Sequence, residues 1–367
     1  LAAQPFASPA VERAIFEREV TRLGSIDAFD ELARSFETQL TAYQAHAGGF
    51  WGNRATAPIL WDRLVRLSVA AGVLAQNSGA EKLWKTSAEA AIWFTKCGWE
   101  VDHQSEKLFA DDAKLPGGLV GVLAKLRRAY LRHLDTTNGV FSEMLANEGA
   151  ESLNLSYAGD MLRLAAEQAS AKEPVAVLVL DACRFDAGCR LAELLNQGEP
   201  VRRAEVGAAR APLPSITAIG MPFCLPGDTT GLSVTIENNE FRVIAPGFSG
   251  NLSKADQRRE WLRAKFKLKE CSCLDIAQIA DNTASATLSA KALGKLIFVF
   301  GDELDDHDCE LKPFGIDHVL DRYATVIRRL RGAGYNTVYV VTDHGFFHWE
   351  PAADEKDGSK PTGDVLF

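Results

Sequence analysis

Residues 175–186 read V-A-V-L-V-L-D-A-C-R-F-D, and this stretch decides the fold. Val175 to Leu180 is an apolar run without a polar break, which predicts a strand buried on both faces, as in a parallel sheet. The run stops at Asp181. From Ala182 to Leu195 the spacing becomes helical, with Phe185, Cys189, Leu191, Leu194 and Leu195 on or near one side. Asp181 therefore sits where a strand ends and a helix begins. Ligands of open α/β sheets bind at the carboxyl ends of the strands, so a carboxylate there is a candidate for holding a metal or a phosphate site. The plainer role is the N-cap of the following helix, and this stretch alone does not separate the two.

Two further strands repeat the arrangement. Leu296 to Phe300 is apolar and runs into Gly301-Asp-Glu-Leu-Asp-Asp-His-Asp-Cys-Glu310. Thr337 to Val341 ends in Thr342-Asp343-His344-Gly345, after a helix expected over Ile316 to Arg331. In a parallel sheet these ends share one edge, so Asp181, the Asp302 to Asp308 cluster, Asp343 and His344 converge there. So many carboxylates repel one another unless cations neutralise them. The donors are hard enough for Mg²⁺ or Mn²⁺ and compatible with Zn²⁺. A turn, Pro214-Ser215-Ile216-Thr217, would bring a hydroxyl to the same edge, and two metals about 4 Å apart would bracket a displacement at phosphorus. Taken singly, each piece also reads as a solvated loop, a polar turn or an ordinary histidine.

The rest of the 174–367 half supports an α/β domain. Pro200 to Val206 is expected to be a short strand, and Val234 to Ile244 a hairpin turning at Asn238-Asn239. Lys254 to Lys269 reads as a basic helix with a solvated face. Residues 231–288 as a whole read as an insertion or cap. Residues 1–170 are helical by spacing and propose no chemistry, which suggests an accessory or docking domain. There Trp84, Trp93, Phe94 and Trp99 are expected to pack around a short helix ending at Gly98.

Bulk properties fit an ordinary protein of two or three domains: 367 residues, 47% hydrophobic and 24% charged. No apolar run reaches the roughly 18 residues needed to cross a bilayer, so no membrane partner is expected. A net charge of −9 argues against a surface coated for non-specific nucleic-acid binding, though not against a local basic groove. Seven scattered cysteines suit reduced thiols in a cytoplasm. The first residue is not Met, and a fragment is expected.

The order strand-Asp181, Thr217, strand-Asp305, then Val341-Thr342-Asp343-His344-Gly345 resembles the alkaline phosphatase superfamily. Thr217-Ala-Ile-Gly-Met-Pro-Phe-Cys-Leu-Pro-Gly227 is similar to that superfamily's nucleophile turn. Within the superfamily, L-D-A-C-R-F-D, L-P-S-I-T and V-T-D-H-G-F-F resemble the PglZ family of BREX and Pgl phage-defence systems, and Trp93 to Asp102 resembles the helical region that precedes this domain. The resemblance implies an alkaline-phosphatase-like sheet flanked by helices, preceded by an all-helical domain. It implies two divalent cations, Zn²⁺ before Mn²⁺ or Mg²⁺. Asp181, Asp343 and His344 would hold one, with Thr217 bridging to phosphorus. Asp305 would hold the other, with His307 or Asp308 as the leading further ligand. A late histidine completes the second site in the superfamily, and nothing after His348 can supply it, so the domain is expected to be cut short at its C-terminal end.

The implied function is a metal-dependent phosphodiesterase or nuclease of a defence complex. Thr217 would attack phosphorus, and Arg184 or the basic helix would steer a nucleic-acid substrate. The other class of function is a non-catalytic hub of such a complex with a vestigial or merely stabilising metal site. A phosphomutase or sulfatase would keep the fold, but a sulfatase needs a modifiable Cys or Ser where Thr217 stands.

Overall fold

A computed structural model describes residues 8–53, 59–108, 117–280, 289–305 and 313–345. The chain divides into two compact units, 1–153 and 154–367. The domain boundary expected near 170–174 thus falls earlier, and the helix Ala158–Gln168 belongs to the second unit.

The first unit is helical throughout its described residues. Its longer helices are Pro9–Gly24, Phe29–Gly48, Trp61–Gln76 and Gly117–Glu148. Their apolar stripes meet in one core, where Phe36, Leu32, Leu64, Trp61, Leu119 and Leu126 are fully buried. Burial of each such side chain contributes about 1.5–3 kcal/mol. The tryptophan-rich segment differs from expectation. It does not stop at Gly98 but passes through one π-helical turn, Phe94–Gly98, into the helix Trp99–Glu106. Gly98 permits this, because a Cβ there would lie 2.6 Å from the Trp93 ring and 2.8 Å from the Phe94 ring.

The second unit is built on a parallel sheet. Its strands are β1 Val175–Leu180, β4 Cys273–Asp275, β5 Leu296–Gly301 and β6 Thr337–Thr342, in the order β4-β5-β1-β6. A separate antiparallel hairpin pairs β2 Ser233–Glu237 with β3 Glu240–Ile244. It turns at Asn238-Asn239 as expected, with both residues at positive φ, the conformation a two-residue hairpin turn requires. In β1, alternate side chains point to opposite faces. Ala176, Leu178 and Leu180 pack with the helices Phe185–Asn196 and Pro313–Gly332. Val175, Val177 and Val179 pack with Ala158–Gln168, Thr217–Cys224 and Ala255–Phe266. Both faces are covered, which is why β1 shows no alternation in sequence.

Two expectations are corrected here. Pro200 to Val206 forms no strand. No strand among the described residues pairs with it, and Asn196 Oδ1 instead accepts the backbone N–H groups of Arg203 and Ala204. Residues 231–288 are not merely a cap. Cys273–Asp275 adds an edge strand to the main sheet, and Trp261 and Leu262 lie in the core beneath β1 and β5.

Candidate metal centre at the carboxyl edge of the sheet

The register sets the site. Leu180 of β1 pairs with Gly301 of β5 and with Thr342 of β6, so the three strands end level. The residues that follow, Asp181, Asp302 to Asp305, and Asp343 with His344, emerge on one edge. The Asp181 N–H donates to the Gly301 carbonyl at 2.7 Å, extending the β1–β5 pairing to the site itself. Ala182 then takes a left-handed turn (φ +54°), an uncommon state for a residue with a Cβ. The turn aims the Ala182 N–H at Asp343 Oδ1, 3.2 Å away, which also accepts the His344 N–H at 2.9 Å.

Thr217 opens the helix Thr217–Cys224, after Ile216 in extended backbone. Its Oγ1 lies 3.2 Å from Asp181 Oδ1 and 2.9 Å from His344 Nε2. His344 Nε2 in turn lies 3.3 Å from Asp181 Oδ1 and 3.4 Å from Asp343 Oδ2. The other imidazole nitrogen, Nδ1, lies 2.9 Å from the Gly345 carbonyl. A carbonyl only accepts, so Nδ1 is the donor there and Nε2 is the nitrogen turned to the cluster. Ligand atoms of Asp181, Asp305 and His344 all lie within 4.8 Å of one another.

The electrostatics disfavour bare carboxylates at this edge. Burial, then the fields of Asp343 and Asp305, push the Asp181 carboxyl up to about 7. Burial also raises Asp343. Asp343 Oδ2 is buried without a hydrogen-bond partner, a costly state for an acceptor that binds nothing. Oxygen donors around one imidazole nitrogen suit Zn²⁺, Mn²⁺ or Mg²⁺, with the imidazole favouring Zn²⁺. The residues present therefore fit divalent metal.

Sequence reasoning placed Asp181, Thr217, Asp305, Asp343 and His344 at one site, and the structure brings these five together. The further ligands expected for a second cation, His307 and Asp308, lie outside the described residues, as does His348. Asp305 shares a group with Asp181 and His344, and no second, separate group appears among the described residues. Arg184 stands at the edge, but its guanidinium is engaged by Asp186 through Nε at 2.9 Å and Nη2 at 3.0 Å.

Two residues of the site escaped the sequence reading. The first is Arg258, expected on a solvated face but only 6% exposed, its Nη1 donating to the carbonyls of Leu252 and Ser253. Burial lowers its pKa, and the fields of Asp181 and Asp343 oppose that. A signal was available, since Arg258 stands three and four residues before Trp261 and Leu262, on the helix face that enters the core.

The second is Gly220. A Cβ there would lie 2.8 Å from Asp343 Cβ and 3.1 Å from its carbonyl oxygen. Gly220→Ala is therefore expected to displace Asp343, lower stability by about 1–3 kcal/mol and weaken divalent-cation binding. Thermal melts and calorimetric titration check this, and a variant that melts and binds like the parent refutes it.

No helix among the described residues is long and apolar enough to cross a membrane. No curated protein and no solved structure matches the chain. Residues 163–363 match the BREX system PglZ alkaline phosphatase-like domain. That is the domain whose sheet, level strand ends and Asp/His edge are described above, and the chain belongs to the PglZ family, with an alkaline-phosphatase-like fold.

Proposed function

We propose that the chain is a divalent-cation-dependent phosphohydrolase acting on phosphodiesters, nucleic acid among them, within a BREX defence complex in the cytoplasm. The observation that carries this reading is the Thr217 hydroxyl. It stands at hydrogen-bond distance from both Asp181 and His344, inside the Asp181, Asp305 and His344 group that could hold a metal among the described residues.

Asp181, Asp305, Asp343 and His344 would hold the cations, Zn²⁺ before Mn²⁺ or Mg²⁺, with His307 or Asp308 as further ligands. Bound there, the cations would neutralise the carboxylates and polarise the phosphoryl oxygens. The chain's own residues then have defined tasks. Thr217 Oγ1, beside Asp181 and His344, attacks phosphorus, and its proton passes to water, a loss that cations bound there would favour. The new O–P bond forms as the ester oxygen leaves with a proton from water. Water later opens the phosphothreonine and restores the hydroxyl. Arg184, oriented by Asp186, would carry positive charge to the substrate phosphate. The helical unit, 1–153, would serve as an accessory or docking element.

The test is hydrolysis of an aryl phosphodiester with Zn²⁺, Mn²⁺ and Mg²⁺ supplied separately. Turnover that requires one of them is the expected result. Cation bound with no turnover, in a chain carrying any residues that follow Phe367, would leave the family's other role, a structural hub with a stabilising metal site.

A further inference from the structure

Arg258 carries a charge that the phosphohydrolase reading does not use. Its Nη1 donates to two backbone carbonyls, which hold the guanidinium in place without neutralising it, and its Nε is buried with no hydrogen-bond partner. No carboxylate pairs with it among the described residues. A guanidinium stays protonated in proteins, so this is a full positive charge in the core, a costly state unless opposite charge offsets it. The opposite charge lies at the metal centre. Trp261 and Leu262, one turn along the helix from Arg258, share a core with Met221 and Cys224. Gly220, just before them, abuts Asp343, and the Cys224 thiol donates to the carbonyl of Thr342 at 3.1 Å, one residue before Asp343. Asp181 and Asp343 are the carboxylates whose fields act on Arg258, and the Cys224 thiol feels all three groups. Asp343 for its part keeps a buried oxygen, Oδ2, without a partner. The neighbouring Arg259 differs, because its charge is answered by Asp275.

We propose that Arg258 is a positioning residue of the metal centre, a fixed buried counter-charge that holds Asp181 and Asp343 together at the strand ends when no cation is bound and that competes with the cation for their field. The inference rests on the reading of Asp181 and Asp343 as cation ligands. Its consequence has an unusual sign. The guanidinium attracts the carboxylates but repels a divalent cation placed among them. Removing its charge therefore loosens the metal-free site and tightens cation binding. A side chain that served only to fill space would loosen both.

Calorimetric titration of the full chain with Mn²⁺ at pH 8, together with thermal melts in chelator, tests it. Arg258→Gln keeps a donor for the Leu252 and Ser253 carbonyls but no charge, and should bind Mn²⁺ at least about threefold more tightly than the parent. Arg258→Lys keeps the charge and should stay within about twofold of the parent. In chelator, the effect of Arg258→Gln on the melting temperature should be more unfavourable, by about 2 °C or more, in the parent than in Asp343→Asn, the signature of two charges that interact. If Arg258→Gln does not fold, Arg258→Met takes its place in both measurements. Arg258→Gln that binds Mn²⁺ as the parent does or more weakly, or that shifts the melt equally in both backgrounds, overturns the proposal. A parent chain that binds no Mn²⁺ overturns the cation reading instead, and the melts in chelator then decide by themselves whether Arg258 is the counter-charge.

Discussion

Thr217→Ala is expected to reduce cation-dependent phosphodiester hydrolysis by about 10³-fold or more, about 4 kcal/mol of transition-state stabilisation. The reason is chemical rather than structural. Alanine keeps the first turn of the helix Thr217–Cys224, whose preceding residue, Ile216, makes no side-chain cap. It also leaves His344 Nε2 beside Asp181 Oδ1 at 3.3 Å, so the cation ligands stay in place. What disappears is the hydroxyl that, among the described residues, faces both groups. Thr217→Ser restores that oxygen and should keep activity within about tenfold of the parent. Steady-state rates for the three proteins, with cation affinity measured in parallel, decide the matter. Alanine at full activity would remove Thr217 from the chemistry. Alanine that loses both activity and cation would make Thr217 a ligand first.

The second large effect concerns stability against pH in the absence of metal. The Asp181 carboxyl ordinarily titrates near 3.8, and in the fold it is pushed up to about 7 by burial and by Asp343 and Asp305. Below 3.8 the group is protonated in both the folded and the unfolded chain, and its contribution to stability is complete. Between 3.8 and 7 the unfolded chain ionises while the folded one holds its proton. Stability is therefore lost as pH rises, by up to about 4 kcal/mol across the window. Asp343, raised in the same direction, adds to the slope.

A divalent cation binds the ionised form and opposes the loss, so the stabilisation given by Mg²⁺ should be larger at pH 8 than at pH 6. Asp181→Asn removes the titration and should flatten the metal-free curve relative to the parent. Denaturant melts in chelator and in Mg²⁺ at three pH values measure all of this. Metal-free stability that climbs from pH 5 to pH 8 by the same amount in parent and variant would contradict the assignment.

Much of the candidate metal centre was legible because its parts sit at points the sequence marks strongly. An apolar run that stops on a carboxylate is unambiguous at Leu180-Asp181, at Phe300 to Asp302 and at Val341 to Asp343. Parallel strands of matched length then carry those stops to one edge. Thr217 was legible through the resemblance of its turn to a nucleophile turn rather than through periodicity.

Other features were hidden for physical reasons. Pro200 to Val206 has the composition of a strand, but strand formation depends on a neighbour to pair with, which is not a local property. Cys273–Asp275 is too short to announce itself, and it becomes a strand only because β5 offers an open edge. Gly98 reads as a helix stop, and only the rings of Trp93 and Phe94 packed over it show why the helix continues.

The sequence by itself determined the alternation of apolar strands and amphipathic helices, and with it an α/β unit whose acidic residues stand at strand ends. Those patterns are written in side-chain periodicity, which depends on near neighbours in the chain. Tertiary structure alone decided the strand order β4-β5-β1-β6, the level register of Leu180, Gly301 and Thr342, and the inward turn of Arg258. Each of these depends on contacts between residues far apart in the chain, where packing and desolvation rather than local preference set the free energy.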